Sequence, residues 1–207
     1  MNINEQYDQW SETYDSQENK TRDLELISQT ELLKDYHFKN ALEIGCGTGK
    51  NTGFLLTKCT NLTSIDFSEK MIEIAKTKFA STQTNFQIVD ITKLWPFQSS
   101  QFDLISESLV LEHINDLDFI FSQSFNILKT EGIFYISELH PFKQYSGSKA
   151  RIQTEKGETL ITCFTHHISD FITAAQNAGF KIITIKEFFD NNDRSSLPRI
   201  ISIILKK

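Results

Sequence analysis

The sequence is poor in the residues that interrupt or crosslink a chain. Its 207 residues include only 8 glycines, 3 prolines and 3 cysteines. So little glycine and proline excludes collagen-like and low-complexity chains. Cys46, Cys59 and Cys163 are odd in number, and no two of them have the C-x-x-C spacing of a metal or redox site. We therefore expect a reduced, cytoplasmic protein that binds no metal.

Positive charge and long apolar runs are also scarce. Lys and Arg number 21 against 27 Asp and Glu, so the formal net charge is −6. A surface of this sign disfavours nucleic acid and anionic membranes as partners. No run approaches the ~18 apolar residues of a membrane span, and residues 1–7 lack the features of a signal peptide. We expect one domain over residues 1–207, a monomer or homodimer whose partner is a small molecule.

Short apolar runs alternate with amphipathic stretches along most of the chain. This alternation implies strands and helices joined by short right-handed crossovers, with helices on both faces of a sheet. We therefore predict an α/β fold with a doubly wound, mostly parallel seven-stranded sheet whose last strand is antiparallel. The predicted strands are 41–44, 62–65, 86–89, 102–105, 133–136, 181–188 and 199–205. The predicted helices between them include 49–58, 116–129 and 168–178.

Residues 1–36 precede the first predicted strand and have a helical pattern. Tyr7, Trp10 and Tyr14 recur at helical spacing, which places the three rings on one face. We expect a helical N-terminal cover. Its aromatic face either packs into the core or closes a binding site, and the pattern favours the two interpretations equally.

Residues 140–166 interrupt the alternation after the fifth predicted strand. Within them, the runs 150–154 and 158–163 flank Glu155-Lys-Gly157, which is typical of an antiparallel hairpin. The insertion is either a surface hairpin or a lid that shapes a binding site, because mobile loops frequently do so.

The segment Leu42-Glu-Ile-Gly-Cys-Gly-Thr-Gly49 lies where the first strand should end and a helix should begin. Gly45, Gly47 and Gly49 permit positive φ angles and a close approach of a ligand to the backbone. Ligands of doubly wound sheets bind at this edge, and a helix N-terminus favours an anionic group. A nicotinamide fingerprint, G-x-G-x-x-G, would need glycine where Lys50 stands.

Two acidic residues follow the next two predicted strands. Asp66 stands about 20 residues beyond Gly45, where a carboxylate can accept hydrogen bonds from both hydroxyls of a ribose. Asp90 ends the third strand, where it can accept from an adenine amino group. A lone aspartate at a strand end is usually a turn residue. Three successive strand ends with matching chemistry instead favour a nucleoside cofactor.

Together these segments resemble class I, Rossmann-like S-adenosylmethionine-dependent methyltransferases of the small-molecule type, similar to ubiquinone-biosynthesis-type and type 11 methyltransferase domains. The resemblance runs from about Tyr7 to the C-terminus. The segments that carry it are Glu43-Ile-Gly-Cys-Gly-Thr-Gly49, Ile65-Asp-Phe-Ser-Glu-Lys-Met71, Val89-Asp-Ile91, the run 102–114 and Leu128-Lys-Thr-Glu-Gly132. The sequence departs from the family at Lys129-Thr-Glu-Gly132, where Lys-Pro-Gly-Gly is usual, but that turn is structural.

The resemblance implies S-adenosylmethionine as the cofactor and S-adenosylhomocysteine as its product. The loop from Glu43 to Gly49 would hold the methionine end, and Asp66 would hold the ribose. Within that loop, the implied contacts are Gly45, Gly47 and Gly49. The resemblance also implies that Phe67 and Met71 lie against the adenine and that Asp90 and Ile91 lie at its edge. The other implied contacts are Glu107 and Leu109 along the cofactor, and Tyr7 and Tyr14 in the cover.

The implied reaction is methyl transfer to an O, N or C atom of a small acceptor by in-line displacement. The protein mainly aligns the reactants, and a base is needed only if the acceptor must lose a proton early. We expect His140, which ends the fifth strand, to contact the acceptor or remove its proton. His113 is a second candidate, although a structural turn is the favoured interpretation there. The predicted acceptor contacts are Trp10, Tyr145, Arg151 and His166.

Two other functions stay open. One is a catalytically silent sensor or scaffold that binds S-adenosylmethionine, because glycines and acids argue for binding and not for turnover. The other is a nicotinamide-dependent oxidoreductase, which Lys50 disfavours. Amino-group methylases of nucleic acids or glutamine place Asn/Asp-Pro-Pro-Tyr after the fourth strand, whereas this chain has Glu107-Ser-Leu-Val110.

Overall fold

A computed structural model describes residues 3–148, 151–154 and 157–207. The strands are β1 (Phe38–Ile44), β2 (Cys59–Asp66), β3 (Asn85–Ile88), β4 (Phe102–Ser108), β5 (Leu128–Leu139), β6 (Arg151–Thr154), β7 (Gly157–Leu160), β8 (Lys181–Phe188) and β9 (Ile200–Lys206). Seven of them form one sheet in the order β3-β2-β1-β4-β5-β9-β8. The first five strands are mutually parallel, and β9 runs antiparallel to both of its neighbours. The predicted fold class is confirmed, including the antiparallel last strand.

Helices cover both faces of this sheet. They are α1 (Ile3–Tyr14), α2 (Lys20–Leu33), α3 (Thr52–Leu55), α4 (Glu69–Lys78), α5 (Leu117–Ile127), α6 (Pro141–Tyr145) and α7 (Ile168–Ala178). Side-chain caps start several of them: Ser68 accepts from the backbone N–H of Met71, and Asp116 accepts from that of Phe119. No helix among the described residues is long and apolar enough to cross a lipid bilayer.

Two apolar cores hold the helices against the sheet. On one face, α5 and α7 pack over β4, β5 and β9, and the rings of Phe121, Phe134 and Phe180 lie within 6.4 Å of one another. On the other face, Leu33 of α2 packs in a smaller cluster with Leu104 and Tyr135. Several of the 17 phenylalanines are therefore core residues, and they fix the helices that frame the carboxyl edge of the sheet.

The predicted helix over 49–58 is wrong in length, since α3 spans only Thr52–Leu55. The N–H of Thr57 bonds the carbonyl of Phe54, and that of Lys58 bonds Leu55. These bonds reach three residues back rather than four, so the chain tightens and ends the helix. The predicted fifth strand is too short, because β5 begins at Leu128, directly after α5.

The predicted hairpin is present in the insertion. Strands β6 and β7 pair antiparallel, with Thr154 opposite Gly157. The second strand is shorter than predicted and ends at Leu160. Helix α6 precedes the hairpin and was not predicted. His140 caps α6 and Pro141 occupies its first turn, a position where the missing N–H of proline costs no hydrogen bond.

Candidate functional site

A cavity of about 580 Å³ lies at the carboxyl edge of the sheet, where β1, β2 and β4 end. Its walls come from α1, α2, the loop after β1 and the segments after β2, β3 and β4. The volume falls within the ~300–1,000 Å³ of small-molecule pockets. The lining residues among those predicted for the site are Tyr7, Tyr14, Glu43, Gly45, Gly47, Asp66, Phe67, Met71, Asp90, Ile91, Leu109 and His113.

The loop after β1 keeps its shape because two of its glycines have no room for a side chain. Gly45 has a φ of 67°, and a Cβ added there would stand 2.1 Å from Cγ2 of Val110. Gly49 has a φ of 90°, and its added Cβ would stand 2.5 Å from the ring of Phe79. Gly49 is not among the described lining residues. Lys50 and Asn51, which directly follow Gly49, do line the cavity.

Asp66 is fixed at the end of β2 by two backbone N–H groups. Its Oδ2 accepts from Gly47 N at 2.9 Å, and its Oδ1 accepts from Ser68 N at 2.9 Å. Each carboxylate oxygen retains a further lone pair, so the group can still accept from a diol. Burial raises the pKa of Asp66 to about 6, because the charged form is desolvated.

Two glutamates make the inner end of the cavity acidic. Glu43 Oε2 accepts from Thr52 and Ser64 hydroxyls at 2.7 and 2.6 Å. Glu25, on α2, accepts from the side chains of Asn51 and Ser108, each at 2.7 Å. Burial raises the pKa of both glutamates to about 7.

Sequence reasoning missed Glu25. The sequence offers little signal for it, because the buried side of α2 is mostly polar and carries Arg22, Ser28 and Gln29 besides Glu25. The same end of the cavity holds two further acceptors, Gln29 Oε1 and Asn51 Oδ1, which are buried and accept no hydrogen bond from the described residues. Buried acceptors without donors favour a ligand that brings N–H groups and positive charge.

His113 faces the opposite end of the cavity. Its Nδ1 lies 3.0 Å from the carbonyl oxygen of Thr162, which can only accept, so Nδ1 carries the hydrogen. Nε2 is then the acceptor for the hydroxyl of Tyr7 at 2.8 Å. Tyr7 lies edge-on to Phe67, with ring centroids 5.5 Å apart. The cover, the turn after β4 and the insertion thus meet at one imidazole.

Ligand atoms of Glu112, His113 and Cys163 lie within 4.8 Å of one another. Such residue types suit zinc. No metal was predicted from the sequence, in which Cys163 is remote from the other two residues. In this structure both nitrogens of His113 already have protein partners within 3.0 Å.

His140 is not among the described residues that line the cavity. It is fully buried; its Nδ1 accepts from Phe142 N at 3.1 Å, and its Nε2 lies 3.0 Å from Glu187 Oε1. Burial lowers the pKa of His140 despite Glu187. The ring caps α6 and is held against β8, so it is placed away from the groups that line the cavity.

The other predicted site residues are not among the described residues that line the cavity. Trp10 is buried against Ile161, and Glu107 is buried below the turn after β4. The Tyr145 hydroxyl contacts His167 Nδ1 at 2.6 Å, and His166 Nε2 bonds the carbonyl of Ile114 at 2.7 Å. The side chain of Arg151 lies outside the described part of the chain. The roles assigned to these residues stay predictions.

Comparison with known proteins gives a consistent result. Residues 42–136 match the model of a family described as a methyltransferase domain. The chain is 35% identical over 105 residues to a demethylmenaquinone methyltransferase of Leptospira interrogans, covering 46% of this chain and 41% of that protein. It is 30% identical over 125 residues to a ubiquinone biosynthesis O-methyltransferase of Pelagibacter ubique, covering 59% and 50%.

Solved structures share the fold at low identity. The N-methyltransferase NodS of Bradyrhizobium japonicum, in complex with S-adenosylhomocysteine, superposes with a TM-score of 0.74 at 16% identity, over 100% of this chain and 99% of that one. At this identity the likeness shows the fold alone.

Fold, motifs and comparisons agree on the class: residues 42–136 match a methyltransferase domain, and the chain shares its Rossmann-like fold with S-adenosylmethionine-dependent methyltransferases. The resemblance stated from the sequence, and the cofactor it implied, are confirmed at this level. The chain spans about half or less of the length of the curated relatives it matches.

Proposed function

We propose that the protein transfers a methyl group from S-adenosylmethionine to a hydroxyl oxygen of a small aromatic acceptor. The observation that carries this proposal is one cavity that joins the glycine loop and Asp66 at one end to His113 at the other. The first end suits the cofactor, and the second suits an acceptor that must lose a proton.

The cofactor end is complementary to a cationic nucleoside. Glu25, Glu43 and Asp66 are buried carboxyls whose partners in the structure are neutral hydroxyl, amide and backbone groups. The ammonium and the sulfonium of the cofactor would supply the positive charge that these neutral partners lack. Asp66 would hold the ribose, and Met71 and Ile91 provide apolar contacts for a base. When bound, the cofactor supplies an electrophilic methyl group on sulfur.

The acceptor end is aromatic and holds a defined base. The ring of Tyr7 contacts the rings of Phe67 and His113, and all three line the cavity. The Thr162 carbonyl fixes the hydrogen on Nδ1, so Nε2 is the basic nitrogen of the ring. In this structure Nε2 accepts from the Tyr7 hydroxyl, and an acceptor hydroxyl that takes the place of Tyr7 there would lose its proton to Nε2. A phenolic hydroxyl fits this arrangement, because its ring stacks on aromatic walls and its oxygen becomes nucleophilic on losing the proton. The names of the ubiquinone and demethylmenaquinone relatives support a quinone-like ring.

We propose further that the N-terminal residues 1–36 and the insertion 140–166 cover this end within a single domain. Trp10 of α1 packs against Ile161, directly beside Thr162. Together with the Tyr7 hydroxyl on His113, these contacts close α1 and the insertion over the acceptor and exclude water.

Two measurements test the proposal. Calorimetry with S-adenosylmethionine, S-adenosylhomocysteine and NAD should show binding of the first two only. A methyl-transfer assay over a panel of phenols, amines and carboxylic acids should show turnover with phenols. Binding without turnover on any acceptor would instead support a silent scaffold.

His113→Gln tests the base. We expect kcat with the best phenol to fall by about 10²–10⁴ while S-adenosylhomocysteine binds within about twofold of wild type. His37→Gln, an exposed histidine at the opposite edge of the sheet, is the matched control and should keep wild-type kcat. An unchanged kcat in His113→Gln rejects the base.

A further inference from the structure

Two buried carboxyl groups that the proposed reaction does not use lie beneath the turn that carries His113. Glu107 is in β4 and Glu138 in β5, and their exposures are 0% and 2%. Glu25 of α2 and Glu112 of the turn itself face this pair, and both are acidic. Two carboxylates in such surroundings repel each other and are poorly solvated, so both cannot be charged together without a large cost.

The turn above the pair is held by its backbone N–H groups. Val110 N donates to Glu107 Oε1 at 2.9 Å and to Glu138 Oε1 at 2.8 Å. Leu111 N donates to the same Glu138 oxygen at 2.7 Å. Leu109 has a φ of 58°, and successive N–H groups beside a left-handed residue form a concavity that binds anions. Glu138 accepts from both N–H groups and Glu107 from only one, so this concavity favours Glu138 as the ionised member of the pair.

The proton therefore belongs on Glu107. Glu107 Oε2 is buried and accepts no hydrogen bond from the part of the chain that the structure describes. Oε1 of Glu107 and Oε1 of Glu138 both lie within 2.9 Å of Val110 N, so the two carboxyl groups are in close contact. A hydrogen on Glu107 turns that contact into an O–H donated to the Glu138 carboxylate and removes one of the two charges. Burial raises the pKa of both groups, which agrees with this assignment.

We propose that Glu107 and Glu138 share one proton and act as positioning residues for the turn from Leu109 to His113. Neither is among the described residues that line the cavity. They act through Val110, whose side chain packs on the glycine loop, and through the ring of His113. The consequence for methyl transfer rests on the proposed function, whereas the restraint on the turn does not.

Amide hydrogen exchange tests the restraint directly. In the full chain without ligand, the protection of the Val110 and Leu111 amides, corrected for intrinsic exchange, should fall about tenfold from pH 6.5 to 9 as the shared proton leaves. Glu107→Gln replaces the O–H by a permanent N–H donor, so its protection should change less than about twofold over the same range. Glu73→Gln, at an exposed acid of α4, should follow the wild-type curve.

Glu138→Gln provides the second arm. A neutral amide oxygen is a weaker acceptor than a carboxylate, so protection of both amides should be lower than in wild type at every pH. A wild-type pH dependence in Glu107→Gln, or wild-type protection in Glu138→Gln, overturns the proposal.

A measurement on the wild-type protein keeps the proposal testable if a variant does not fold. Infrared difference spectra should show the C=O stretch of a protonated carboxyl at pH 8, and its absence overturns the proposal. S-adenosylhomocysteine binding at pH 6.5 is measured on the same samples. If S-adenosylhomocysteine does not bind but amide protection depends on pH as expected, the result counts against the proposed function alone. If S-adenosylhomocysteine binds normally but wild-type protection does not change with pH, the result counts against the carboxyl pair alone.

Discussion

The two ends of the cavity are built in different ways. The cofactor end rests on the sheet: the glycine loop, Asp66 and Glu43 belong to consecutive strands or their ends, and hydrogen bonds from neighbouring loops fix them. The acceptor end is assembled from α1, the turn after β4 and the insertion, which meet at His113 through contacts between residues as far as 106 positions apart. Regular secondary structure places the first end, and tertiary contacts between loops and helices place the second.

The largest effect should come from filling the glycine loop. Gly45→Ala forces a left-handed alanine, which costs ~1–2 kcal/mol, and drives a methyl group into Val110, which adds ~1–3 kcal/mol. We expect a loss of ~2–5 kcal/mol, divided between urea unfolding and S-adenosylhomocysteine affinity measured by calorimetry.

Gly147→Ala is the matched control for that substitution. Gly147 also has a positive φ, of 93°, but an added Cβ would meet nothing within 4 Å. It should lose only ~1–2 kcal/mol of stability and bind S-adenosylhomocysteine as the wild type does. Equal losses in the two variants would show that the contact with Val110 is unimportant.

An intermediate effect should come from pH at the cofactor end. The folded pKa values of Asp66, about 6, and of Glu25 and Glu43, about 7, lie above their unfolded values. These groups therefore stabilise the ligand-free protein fully below about pH 4, and this contribution is lost as pH rises through 6 to 7. A cationic cofactor favours the ionised forms, so its Kd should fall by about tenfold from pH 5.5 to 7.5.

Calorimetry in buffers of different ionisation heat should detect the accompanying proton release. Glu25→Gln removes one of the three titrating groups and should flatten the pH dependence of the Kd. A Kd that does not change with pH in the wild type would show that these acids do not face the cationic groups of the cofactor.

The smallest effect should come from Tyr7→Phe at the acceptor end. This change keeps the ring and removes only the hydrogen bond to His113, worth ~0.5–1.5 kcal/mol. We expect S-adenosylhomocysteine to bind a few-fold more weakly in calorimetry. Tyr36→Phe, on the opposite edge of the sheet, serves as the control. A loss beyond about a hundredfold would mean that α1 belongs to the cofactor end and would break the distinction between the two ends.

The same division explains what could be predicted from the sequence. Asp66 and Asp90 follow apolar runs, so the sheet itself brings them to the edge where Gly45 lies. The predicted helix over 49–58 was too long because pattern alone does not register that the chain turns tightly at Thr57 and Lys58.

Prediction was weaker wherever tertiary contacts decide. His140 also ends a strand, and the same logic placed it over the cavity, but Pro141 begins a helix there and the ring is used as its cap. The tautomer of His113 depends on Thr162 and Tyr7, which no local pattern links to it. Glu25 reaches the cavity only because α2 packs on one face of the sheet and brings this side chain to Ser108 at the end of β4.

The position of β9 has a consequence for the order in which the sheet can be completed. This strand lies between β5 and β8, so it is the neighbour of both although it is translated after them. While the chain is being synthesised from its N-terminus, β5 presents an open edge and β8 has no partner within the described sheet until β9 emerges. Closure of this half of the sheet is therefore a late event in biosynthesis, and a nascent chain that stalls before residue 200 exposes an edge prone to aggregation.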